Sequence, residues 1–136
     1  EASCIFLMGG NATKQIRLIC GKGIRDTIVS CSAATLGVSA GSMNMGKTTV
    51  DIWESLVPYE GLGFADIAMI GHFSYEAEER LNLMKKVSMS YPVCAMADES
   101  AIFIRNNQVS CTGEIHWIEK GIIKAFSPDL IQVHNE

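Results

Sequence analysis

At 136 residues and 48% apolar content, the chain is long enough for one domain with a real core and too apolar for disorder. A net charge of −4 and a pI near 5.3 count against a nucleic-acid partner, because phosphate binding needs a basic stripe. The densest basic cluster, Lys85-Lys86, reads as a solvated helix face. No apolar run is long enough to span a bilayer and no basic, apolar leader stands at the start, so no membrane partner is expected. The five cysteines are odd in number and show no CxxC or CxxH spacing. Four of the five lie among apolar neighbours, which points to free thiols in a reducing, cytoplasmic setting.

In chain order, Cys4 to Met8 predicts a core strand ending at Gly9-Gly10-Asn11. An amphipathic helix with Ile16, Leu18 and Ile19 follows and stops at Gly21-Lys22-Gly23, and Ile24 to Ser30 predicts a second short helix. Thr35 to Val38 reads as a buried strand that turns sharply at Ser39 into a helix reaching Met45. Residues 47–63 read as loop, punctuated by Pro58, Gly61 and Gly63. Phe64 to Ile70 predicts a strand ending at Gly71-His72, and Glu76 to Val87 a helix with Leu81, Met84 and Val87 on one side. Val93 to Met96 predicts a short strand before Ala97-Asp98-Glu99. Residues 102–104, 109–111 and 117–118 read as short strands, with a turn at Asn106-Asn107. Strands alternating with helices over the first two thirds imply an α/β domain with a parallel sheet. The chain begins inside a core-like strand with no flanking element, so either the fold is unusually small or the expected single domain, residues 1–136, is the C-terminal part of a longer one.

Gly37-Val38-Ser39-Ala40-Gly41 fits G-x-S-x-G, in which a serine on a tight strand-to-helix turn lifts its hydroxyl clear of the sheet. A bland strand-to-loop turn would look the same in isolation. Three further strand ends supply what a nucleophilic serine needs. His72 is the candidate base, Asp98 the acid that orients it, and the N–H groups of Gly10 and Ala40 the candidate oxyanion hole. Each has an ordinary alternative: Gly10 a turn glycine with Asn11 as helix cap, His72 an exposed histidine, and Asp98 a turn acid. The order Ser, His, acid departs from the Ser, acid, His order of ordinary α/β-hydrolases.

With these motifs together, the chain resembles the aspartyl dipeptidase (peptidase E) family, which also contains the cyanophycinases. The likeness lies in residues 6–11, 36–42, 61–64, 72–73 and 97–102, in the family's order. It implies the three-layer, flavodoxin-like α/β fold shared with class I glutamine amidotransferases, and serine-dependent hydrolysis of short peptides, including dipeptides with N-terminal aspartate. It also implies Ser39 as nucleophile, His72 as base, Gly10 and Ala40 as oxyanion donors, and Asp98 as triad acid, with Glu99 beside it as the other candidate. Asn11, Arg80 and Glu99 are the candidate substrate contacts, Arg80 being the obvious basic residue for an aspartyl side chain. Gly71 stands where the family usually has proline before the histidine, and the family's first strands and helices have no counterpart here. No metal or organic cofactor is implied, and an exposed sheet edge would invite pairing with a second copy.

Three rivals remain at this level. Gly41 to Thr48 also matches G-x-x-x-x-G-K-[ST], a phosphate-cradling loop that needs its helix to begin near Lys47. A nucleophile elbow instead needs a helix already running through Met43 to Met45. His134-Asn135-Glu136 forms an H-x-E triplet of the amidotransferase kind at the very chain end. A catalytically inactive domain of the same fold is the third.

Overall fold

The computed structural model describes residues 3–133. Its elements in chain order are β1 (Cys4–Leu7), α1 (Ala12–Gly21), α2 (Arg25–Ser30), β2 (Ala34–Gly37), α3 (Ala40–Met45), β3 (Gly46–Thr49), β4 (Tyr59–Glu60), β5 (Ala65–Ile70), α4 (Glu78–Val87), β6 (Val93–Met96), β7 (Ala101–Arg105), β8 (Gln108–Thr112), β9 (Ile115–Glu119) and β10 (Ile122–Ala125). The triplet at residues 134–136 lies outside the described residues.

The main sheet has the strand order β10-β9-β6-β5-β3-β4. Its centre is parallel, β3 with β5 and β5 with β6, as expected for α/β alternation. Both margins are antiparallel, because β4, β9 and β10 enter through a loop, the β7–β8 hairpin and a tight turn rather than through helical crossovers. β1 and β2 form a separate parallel pair, and β7–β8 a separate hairpin. That hairpin turns at Asn106-Asn107, both in the left-handed region that asparagine tolerates well.

Alternation along the central strands explains why both sheet faces are covered. Ile70, Val93, Ala95 and Ile118 point to one side, where Leu81, Met84 and Val87 of α4 pack on them together with Val50, Ile52 and Phe73. Ile67, Met69, Cys94 and Trp117 point to the other, against Ile131 and the partly buried Ile102 and Val109 of the hairpin. The second outer layer is therefore a hairpin and the C-terminal segment. α4 is further favoured by Glu78 and Glu79 in its first turn and Lys85 and Lys86 in its last, matching the helix dipole at both ends.

Several sequence expectations are corrected. β1 and β2 read as buried on both faces but are covered on one only: Ile5 and Leu7 face α1 and α2, while Phe6 is 56% and Leu36 53% exposed. Both faces are apolar in sequence, so periodicity alone could not tell them apart. Leu18 is likewise exposed although it neighbours the buried Ile16 and Ile19 on α1. β3, β4 and β10 were not expected. Lys47-Thr48-Thr49 has no apolar alternation, yet Thr49 is wholly buried and its hydroxyl donates to the Met43 carbonyl at 3.0 Å. Of the cysteines, Cys94 alone is buried, and all five are free.

Candidate functional site

The site gathers at the carboxyl ends of strands, where open α/β sheets place their ligands. Ser39 occupies the single residue between Val38, just past the end of β2, and the start of α3. Its backbone, at φ 51° and ψ −112°, lies in a region that side-chain-bearing residues rarely adopt, the strained turn that an elbow needs. Ser39 stands at the N-cap of α3 yet makes no capping bond. Its hydroxyl goes to His72 Nε2 instead, at 3.0 Å.

The glycines on either side explain how so tight a turn fits. A Cβ on Gly41 would lie 2.0 Å from the Leu7 carbonyl oxygen of β1, and one on Gly37 2.6 Å from Met45 Sδ and from the Ser42 nitrogen. Hydrogen bonds then hold the turn: the Ser42 hydroxyl donates to the Ser39 carbonyl at 2.6 Å, and the Gly41 N–H to the Val38 carbonyl at 2.9 Å.

His72 lies two residues beyond β5 at φ 58°, and Asp98 two residues beyond β6. The two loops are tied by the Phe73 N–H donating to the Met96 carbonyl at 2.8 Å. His72 Nδ1 lies 2.7 Å from Asp98 Oδ1. The two bonds together require one tautomer: Nδ1–H donates to Asp98, leaving Nε2 free to accept from Ser39. The row is open to solvent, with side chains 51% exposed at His72 and 77% at Asp98. Glu99 is also exposed, on a left-handed turn, and the bond to His72 comes from Asp98.

A cleft of about 160 Å³ adjoins this row, lined among others by Gly10, Ala40, Ser39 and His72. Gly10 follows β1 at φ 134° and Ala40 opens α3, whose first N–H groups have no acceptor within their own helix. The two residues proposed as oxyanion donors therefore line the same cleft as Ser39. Arg80 reaches the cleft from α4. Its guanidinium carbon sits 5.1 Å from the centroid of the Trp53 ring, and Nη1 lies 3.5 Å from the Gly71 carbonyl.

Asn11 and Glu99 do not line the cleft. The Asn11 amide is committed to the fold: Oδ1 accepts from the Lys14 N–H at 2.7 Å as the cap of α1, and Nδ2 donates to Glu54 Oε1 at 2.8 Å. Hydrogen bonds from Asn11 first, then Thr13, hold the Glu54 carboxyl below its ordinary range. In their place the cleft takes Asp51, Ile52 and Trp53, which lie in the 47–63 stretch whose sequence shows neither strand nor helix periodicity and so gives no periodic sign of a site. A tryptophan within a stretch otherwise rich in turn residues is the one signal the sequence holds there, and the structure leaves it 55% exposed.

The phosphate-loop alternative fails on geometry. α3 already runs from Ala40 through Met45, and Lys47 lies on strand β3 with its ammonium 3.4 Å from Asp66. No loop of free N–H groups precedes a helix at Lys47, which is what cradling phosphate would take.

No curated protein matches the chain significantly. Among solved structures, a peptidase from an acI-B1 Actinobacterium superposes with a TM-score of 0.63 at 17% identity, covering 98% of this chain and 60% of the other. That likeness is one of fold, and the chain spans 60% of that protein's length. The family model for peptidase family S51 matches residues 1–112, and the chain belongs to that family.

Proposed function

We propose that this chain carries the catalytic group of a serine peptidase acting on short peptides. The observation that supports it best is the unbroken hydrogen-bonded row from Ser39 Oγ through His72 to Asp98, beside a cleft bordered by Gly10 and Ala40. Ser39 Oγ attacks the scissile carbonyl carbon as its proton passes to His72 Nε2. The resulting oxyanion is stabilised by the N–H groups of Gly10 and Ala40, each worth about 3–4 kcal/mol of barrier in such sites. On collapse the C–N bond breaks, and His72 gives its proton to the leaving amine. Water, deprotonated by His72, then releases the acyl group from Ser39. Asp98 holds the imidazole in the required tautomer and stabilises it while it is charged.

The finer reading is a preference for peptides with an N-terminal aspartate, supported by Arg80 at the cleft beside Ser39 and His72. The unpaired cysteines favour a reducing compartment, the cytoplasm. Among the described residues no helix is long and apolar enough to cross a membrane. A panel of dipeptides tests the preference. Asp-X should be cleaved faster than Asn-X, and Arg80→Met should cut kcat/KM for Asp-X by about tenfold or more while sparing Asn-X. Equal losses on both substrates would remove Arg80 from recognition.

A further inference from the structure

His116 lies on β9, opposite Ala95 of β6, and is not part of the hydrogen-bonded row. Its side chain is only 18% exposed, and Nε2–H donates to Glu114 Oε1 at 2.7 Å. Its ring centroid lies 4.4 Å from that of Phe73 and 5.4 Å from that of Tyr75, and Phe73 and Tyr75 meet edge to face at 5.0 Å. Phe73 is the residue after His72 and is 4% exposed. Glu114 binds the other loop as well: its carbonyl accepts from the Ala97 N–H, next to Asp98, at 3.0 Å.

Given the serine chemistry proposed above, we propose that His116 is a positioning residue that holds the His72 loop against the Asp98 loop through the ring of Phe73. His72 and Asp98 are themselves open to water, so their own bond does little to fix their separation. His72 also sits on a left-handed backbone, which persists only where its surroundings over-determine it. The buried anchor nearest to it in sequence is Phe73. Phe73 is held by its N–H bond to Met96 and by the face of His116, which Glu114 in turn keeps from rotating. Catalytic groups must be held within about 0.5 Å and 10–20°, so losing this anchor should reach the reaction.

The test uses the full chain as wild type, His116→Ala, His116→Phe and Tyr75→Ala, with Ser39→Ala and His72→Ala as blanks. The readouts are the rate of fluorophosphonate labelling, kcat and KM on a cleaved peptide, and the low-field proton resonance of His72 Nδ1–H. His116→Ala should slow labelling and lower kcat by about 10- to 100-fold with KM within about twofold, and should broaden the low-field resonance. His116→Phe, which keeps the ring on Phe73, should recover to within about threefold of wild type. Labelling at the wild-type rate with the resonance intact in His116→Ala would overturn the inference. Should His116→Ala fail to fold, Tyr75→Ala decides, because Tyr75 is exposed and its removal leaves no hole in the core. A kcat lowered about two- to fivefold at unchanged KM supports the inference, and wild-type kcat overturns it. If the wild-type chain is not labelled at all, the serine chemistry fails separately. The resonance then still decides the positioning role, by its loss or persistence in His116→Ala.

Discussion

The Ser39 hydroxyl lies 3.0 Å from His72 Nε2 although the two residues are 33 positions apart, on loops after different strands. Their meeting depends on two backbone conformations that side-chain-bearing residues avoid, φ 51° at Ser39 and φ 58° at His72. Strain concentrated at two residues that face each other supports the proposed reactive site, in which the surrounding packing would be part of the chemistry.

The acid can be assigned by substitution. Asp98→Asn should lower kcat by on the order of 10²–10⁴-fold, because an amide cannot stabilise the imidazolium and favours the wrong tautomer. Glu99→Gln should stay within about threefold of wild type, since Asp98 makes the bond to His72. Steady-state kinetics on any cleaved peptide reads the difference, and the reverse ranking would move the role to Glu99.

Two glycines near the site should respond in opposite ways. Gly41→Ala drives a methyl into the Leu7 carbonyl and must push α3 off β1, so it should cost about 2–3 kcal/mol and abolish labelling of Ser39. Gly71→Ala meets nothing within 4 Å and should leave stability within about 0.5 kcal/mol of wild type, although it adjoins His72. Urea denaturation of the two variants measures both.

Much of the fold was legible because local chemistry and tertiary demand agreed. Asn11 caps α1, Gly23 follows its end in the left-handed region, and Asn106-Asn107 turns a hairpin, each as the sequence suggests. Ser39, His72 and Asp98 could be picked out as polar residues following apolar strands. Their distances could not, since these depend on strand order and on how far each loop projects. β3 stayed hidden because Lys47-Thr48-Thr49 is polar and is paired by its neighbours on both sides, β5 and β4. With it went the cleft wall at Asp51 to Trp53. Phe6 and Leu36 misled in the other direction: hydrophobic strand residues announce that a face can be covered, not that it is.

The thiols offer a check on burial. Burial first, and the nearby Cys111 second, push the Cys94 thiol up to about 12. Cys94 should therefore resist alkylation in the native state at pH 8, while the exposed Cys4, Cys20 and Cys111 react readily. An unfolded Cys94 ionises near its ordinary value of 9.0, whereas the folded thiol keeps its proton until about 12. Its contribution to stability is thus complete below pH 9 and falls as pH rises toward 12. Cys94→Ala should flatten that alkaline decline, measured as midpoint against pH.

The most direct test of the central claim is fluorophosphonate labelling of the intact chain, with the adduct located by peptide mass spectrometry and Ser39→Ala as comparison. An activated serine predicts one adduct, on the peptide containing Ser39, formed at a rate that disappears with Ser39→Ala and falls with His72→Ala. A folded chain that takes no label, or takes it equally in Ser39→Ala, would contradict the account and leave a catalytically inactive member of family S51.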